Sequence, residues 1–316
     1  RFRPVARGMP AFLTLTRAAA RIVLAPETGG AIADFAWRGL PVLRPTSEAA
    51  AAAGEVRRHA CYPLVPYSNR IANGELHFRG RTHQLDRNFG DHPHSIHGVG
   101  WQRPWQVVAR DDASALLVCA HDPVGSRTAA DTRAWPWPFR ATQWFTLAAD
   151  DAGATLRARL TVENTGAEAF PVGLGFHPFV PRDAGTVLGF DARGVWETDA
   201  TSLPLRHTAI PAALCFEPAR AIGTTVLDNA FTSWRGETTV FEPSTRRLTL
   251  LRGDTACSFF VCYVPAEQPF IAIEPVTQMT DAFNRAARGD ADTGTRILEP
   301  GASFSCTMEI AARCLQ

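Results

Sequence analysis

The chain has 316 residues, a net charge of +1 and 46% hydrophobic residues, enough to bury a large core, and no charged block offers itself to a nucleic acid or an acidic membrane surface. It contains no lysine, every Lys/Arg position being arginine, which excludes Schiff-base chemistry, a pyridoxal phosphate lysine and a Walker-type phosphate loop. Seven cysteines without a C-x-x-C pair predict reduced thiols in a cytoplasmic protein, and no apolar run approaches the roughly 20 residues of a membrane span.

The first residues, RFRPVARGMP, are too polar for a secretory signal. TSEAAAAAGEVRRH (46–59) is the best short-helix candidate, with Gly54 placed to end it. YPLVPYSNRIANGELHFRG (62–80) reads as a β-hairpin turning at Asn73-Gly74, because both central residues of a type I′ turn need positive φ. Strand alternation then puts Ser68 and Arg70 on one face. HPHSIHGVGW (92–101) carries three histidines, but no carboxylate completes a metal-ligand spacing. A binding histidine is the better reading, and His97 lies nearest the apolar strand entry.

Further strands follow at ALLVCAH (115–121) and ATQWFTLAA (141–149). In ATLRARLTVEN (154–164), Leu156, Ala158, Leu160 and Val162 alternate with polar residues onto one face. In PVGLGFHPF (171–179), Val172, Leu174 and Phe176 read as core, and the other face carries Gly173, Gly175 and His177. Two residues without side chains beside a histidine suggest an open floor for a ligand; a histidine merely capping a strand end is the competing reading. TVLDNAFTSW (225–234) places Asp228 in a polar loop, either as a functional group or as an Asx-turn residue. CSFFVCYV (257–264) precedes FIAIEPVTQMTDAFN (270–284), where Phe270, Ala272 and Glu274 share a face. Glu274 is then either an exposed strand-end charge or a partly desolvated base. FSCTMEI (304–310) alternates again. Without a repeat, a linker or a composition shift, these elements predict one all-β domain over 1–316, a large antiparallel β-sandwich.

The polar set comprises a glutamate, one or two histidines, an arginine and an aspartate, with tryptophans nearby. No nucleophile elbow or phosphate loop accompanies it. Such a set suits acid–base chemistry on a neutral, polyhydroxylated molecule.

The order NRIANGELHFRG, HSIHGVGWQRPW, VGLGFHPF, LDNAF and IEPVTQMTDAFN resembles the aldose 1-epimerase (galactose mutarotase) family from about Tyr62 to the end of the chain. PYSNRI and PVTQMTDAFN depart from typical members and point to a divergent bacterial branch, which leaves the sugar open. The resemblance implies the supersandwich type of β-sandwich with a cleft across one sheet. It implies Glu274 as general base and His177 as general acid. His97, Arg70 and Asp228 are implied as binders of sugar hydroxyls, with Asn69 beside the arginine at the substrate site. The activity expected is cofactor-independent interconversion of α and β anomers of a free aldose, an isomerase reaction with base and acid on opposite sides of the ring, by a cytoplasmic monomer or homodimer. The partner expected is the sugar alone, with no metal, nucleic acid or membrane. A hexose-6-phosphate 1-epimerase, which needs extra arginines at the cleft rim, and a non-catalytic carbohydrate-binding β-sandwich are the rivals. A glycoside hydrolase would need a second carboxyl group flanking the bond.

Overall fold

Leu156, Ala158, Leu160 and Val162 are fully buried along one face of the strand Gly153–Asn164, as their alternation requires. The computed structural model describes residues 12–126 and 129–315; the remainder of the expected 1–316 extent lies outside the described residues. Gly153–Asn164 sits within a nine-stranded antiparallel sheet, flanked by Phe139–Ala149 and by Ser303–Cys314, which in turn pairs with Arg247–Gly253. Cys306, Met308 and Ile310 of the last strand turn inward beside them, while Phe304 is only half-buried.

An eight-stranded antiparallel sheet contains Leu227–Thr232, Phe259–Val264, Phe270–Val276, Gly175–Phe176 and Pro63–Leu64 in that lateral order, with Phe179–Pro181 also paired to Phe270–Val276. Its Phe231, Phe260, Cys262, Ile271 and Ile273 join the same hydrophobic core as the nine-stranded sheet, giving the sheet-on-sheet sandwich. Each fully buried Leu, Ile or Phe there contributes about 1.5–3 kcal/mol. A four-stranded sheet, from Leu13–Arg17 to Leu40–Pro41, completes the N-terminal side. It is fastened to the nine-stranded sheet by buried Arg247, which pairs with Glu242 and donates to the carbonyl of Pro41. None of the described helices is long and apolar enough to cross a membrane.

The structure corrects several local expectations. The helix expected over 46–59 is only Glu48–Ala52, capped by Ser47 Oγ, and Gly54 (φ 62°) separates it from a 3-10 turn at Val56–Arg58. Asp228 lies on the strand Leu227–Thr232, not in a loop. Asn73 and Gly74 do adopt positive φ (54° and 71°), yet the strands they join are not partners. Arg70–Ile71 pairs with Ser95–Ile96, and Glu75–Phe78 makes the hairpin with Arg81–Gln84, turning at Arg79-Gly80. The turn bond from Glu75 N–H to the Ala72 carbonyl is made, but Ala72 N–H, which would answer it across a hairpin, donates to Asp281 Oδ1 (3.1 Å), while His94 Nδ1 holds Asn73 N–H (3.0 Å). Alternation also fails before Arg70, because Asn69 is left-handed (φ 57°).

Candidate active site

Directly paired strand residues share a face of a sheet, so the register of the eight-stranded sheet lays out its outer surface in rows. One row runs Asp228, Tyr263, Ala272, Phe179, and is extended by Arg44, whose N–H donates to the Phe179 carbonyl (2.8 Å). In the adjacent row, the pairings Gly175 with Val276 and Phe179 with Ala272 bring His177 opposite Glu274. His177 Nε2 lies 3.2 Å from Glu274 Oε1. Glu274 is 3% exposed, so it is not a solvated strand-end charge. A cleft of about 440 Å³ above these rows is lined by Glu274, His177, His97, Arg70, Asn69 and Asp228, the six residues expected to share a site.

The glycines do a different job from the one expected. A Cβ on Gly173 would fall 1.1 Å from Gln278 Oε1, and one on Gly175 would lie 2.7 Å from Val276 Cγ1. They admit Gln278 and Val276 rather than leaving a floor for a ligand.

Asn69 governs the cleft wall. Its Oδ1 accepts from both the backbone N–H and Nη1 of Arg70 (3.0 Å each), which leaves Nη2 to pair with Asp228 Oδ2 at 3.1 Å. Asn69 N–H donates to His97 Nδ1 (3.0 Å), and His97 N–H returns to the Asn69 carbonyl (2.9 Å). With Nδ1 an acceptor, neutral His97 carries its proton on Nε2. Burial, then the neighbouring His177 and Arg70, holds the His97 pKa well below its ordinary value, so it stays a neutral donor.

Arg70 is held from the far end of the chain. Asp281 N–H donates to the Arg70 carbonyl (2.8 Å). Asp281 Oδ1 also accepts from Asn284 Nδ2 (2.7 Å), and Asn284 receives His77 N–H and donates to the Glu75 carbonyl (both 2.9 Å). These clamp residues lie inside the TDAFN stretch, where buried Asp and Asn were the available signal; Arg44 stands in no motif.

Burial pushes both members of the central pair toward their uncharged forms. Desolvation, reinforced by Asp228, raises the Glu274 carboxyl well above its usual range. Desolvation, with Arg44 and Arg70 adding to it, lowers His177 to about 3. Both shifts favour a neutral carboxyl beside a neutral imidazole over an ion pair. His177 is packed between Tyr62 (centroids 4.7 Å) and Phe179 (4.5 Å), which fixes its ring plane. Among the described residues no group of three or more His, Cys, Asp or Glu could hold a metal ion. The Nδ1 atoms of His92, His94 and His97 are all occupied by backbone N–H groups.

The family profile described as Aldose 1-epimerase matches residues 12–311. The chain is 29% identical over 298 residues to the uncharacterized protein YphB of Escherichia coli K12, covering 92% of this chain and 94% of that one. A second uncharacterized E. coli K12 protein, YihR, is 25% identical over 230 residues, covering 70% of each. The crystal structure of a candidate aldose 1-epimerase from E. coli K12 superposes with a TM-score of 0.84 at 26% identity, covering 96% of this chain and 99% of that one. A galactose mutarotase-like protein from Clostridium acetobutylicum shares the fold, with a TM-score of 0.82 at 17% identity and coverage of 96% and 95%.

Proposed function

Because the chain belongs to the aldose 1-epimerase family, we propose that it interconverts the α and β anomers of an aldose, opening and reclosing the ring with Glu274 and His177. The observation that carries this reading is the buried pair itself, a carboxyl and an imidazole 3.2 Å apart on the floor of an open cleft. The two groups stand side by side rather than on opposite sides of a ring. That suits the chemistry, since the two oxygens that exchange protons, the C1 hydroxyl and the ring oxygen, are bonded to the same carbon.

When the sugar docks, the proton held by the pair crosses to His177 Nε2, leaving Glu274 as carboxylate. Glu274 takes the proton of the C1 hydroxyl, the C1–O5 bond breaks, and His177 gives its proton to the ring oxygen. The products are an open-chain aldehyde, a protonated carboxyl and a neutral imidazole. Rotation about C1–C2 presents the other carbonyl face, and the same transfers in reverse close the ring. Protons balance at each stage, so no cofactor is called for.

His97 Nε2–H and the Arg70 guanidinium donate to ring hydroxyls, and Asp228 accepts. Asn69 acts by orienting Arg70 and His97. A purely binding β-sandwich is disfavoured because a buried acid–base pair weakens the fold and contributes nothing that hydroxyl recognition needs. A glycoside hydrolase is disfavoured because the second carboxylate, Asp228, is engaged by Arg70. A phosphorylated aldose would undergo the same ring chemistry. The test is polarimetry of freshly dissolved α-aldoses, with and without the protein. Acceleration for at least one sugar in a panel of neutral and acidic aldoses is expected, and none with any of them would overturn the reading.

A further inference from the structure

The cleft lining contains four arginines, and two of them have a carboxylate. Arg70 pairs with Asp228, and Arg58 lies 3.5 Å from Glu55. Among the described residues no carboxylate lies within ion-pair distance of Arg44 or Arg57. Arg44 is nonetheless held firmly. Its guanidinium stacks on Phe179 (3.7 Å) and Phe270 (4.4 Å), and Nη2 donates to the carbonyls of Arg57 and His59 (2.8 Å each). Arg57 leans over Phe89 (4.5 Å) at the exposed mouth.

A guanidinium drawn out of water without a counter-ion is costly, and burial accordingly lowers Arg44 to about 10. Bonding to two carbonyls explains why Nη2 points where it does. It does not explain why a second unpaired cation stands beside it on the same wall.

The row across the sheet fixes the direction. Asp228 begins it and Arg44 ends it, with His177 and Phe179 at the Arg44 end. We propose that the substrate is an aldose bearing an anionic group on the exocyclic carbon next to the ring oxygen, received by Arg44 and Arg57. This rests on the mutarotase reading, which sets His177 against the ring oxygen; the neighbouring C5 and its substituent then extend away from Asp228, toward the two arginines. A phosphate ester and a carboxylate present the same chemistry to a guanidinium fork, and the experiment separates them.

Anomeric exchange is measured by NMR at equilibrium for D-glucose, D-glucose 6-phosphate and D-glucuronate. Expected is a kcat/KM roughly tenfold to a hundredfold higher for at least one anionic sugar than for glucose at low ionic strength, the size of one or two charge-assisted hydrogen bonds. The advantage should shrink as salt rises. Preference for the phosphate alone identifies an ester, and comparable gains for both identify charge alone. Arg57→Gln and Arg44→Gln should each lower the anionic-to-neutral ratio. Glucose equal to or better than both acids, or a ratio that neither substitution moves, overturns the proposal. If none of the three exchanges, calorimetry with inorganic phosphate tests the arginines alone, and the wider panel decides the mutarotase reading. Saturable binding weakened in Arg57→Gln supports the anion site, and no saturable binding overturns it.

Discussion

Replacing Glu274 by glutamine keeps the shape of the side chain and removes its proton chemistry, so it reads stability and turnover at once. In the unfolded chain the two groups titrate near their ordinary values, and folding moves them in opposite directions. Because the Glu274 value is raised, its contribution to stability is full below the unfolded carboxyl value, near 4.5, and is lost as pH rises through the folded value. Because the His177 value is lowered, its contribution is full above the unfolded histidine value, near 6.5, and is lost as pH falls toward about 3. Glu274→Gln deletes the carboxyl contribution, which amounts to at most about 1.4 kcal/mol per pH unit above the unfolded carboxyl value. The variant should therefore gain on the wild type as pH rises above the unfolded carboxyl value, near 4.5, while losing about 10²–10⁴-fold in turnover. Urea unfolding at several pH values, beside polarimetry at the same values, measures both. Parallel stability curves for the two proteins, or near wild-type anomerisation by the variant, would refute the reasoning.

Arg70→Ala removes a charged donor that contributes roughly 1.5–3 kcal/mol, so KM should rise about tenfold to a hundredfold with a smaller change in kcat, as steady-state kinetics will show. His177→Asn keeps a polar side chain but no group that can donate the ring-oxygen proton, and the loss should fall on kcat, with the histidine limb gone from the pH–rate profile. Retention of the wild-type profile would shift the acid role to His97. Gly173→Ala drives a methyl group into the Gln278 amide, and should lower the thermal midpoint and the soluble yield.

The sandwich was legible because its strands alternate so regularly: Leu156 to Val162, and Cys306 to Ile310, show their buried faces in the letters alone. The six residues expected to share a site came from short motifs, and all six line one cleft. What the letters did not disclose was which strands pair. Asn73-Gly74 announced its positive φ values correctly, but Asp281, far off in sequence, took the Ala72 amide that would have paired across the hairpin. Gly173 and Gly175 looked like open floor because the side chains that fill the space, Gln278 and Val276, come from a strand and loop a hundred residues later. Arg44 had no motif around it, since its place is set by a backbone hydrogen bond to Phe179 and by stacking on Phe179 and Phe270.

The position of the final strand bears on how the chain assembles. Ser303–Cys314 lies between Gly153–Asn164 and Arg247–Gly253, so a strand made after both of its neighbours is an interior one. Until it arrives, a nascent chain displays two long unpaired strand edges, one of them eleven register positions in length. Such a seam is closed only by contacts distant in sequence, which makes assembly slow and leaves the waiting edges open to pairing between chains. The strand Phe270–Val276, which carries Glu274, can form before that point. The body that supports it closes only once Ser303–Cys314 has joined.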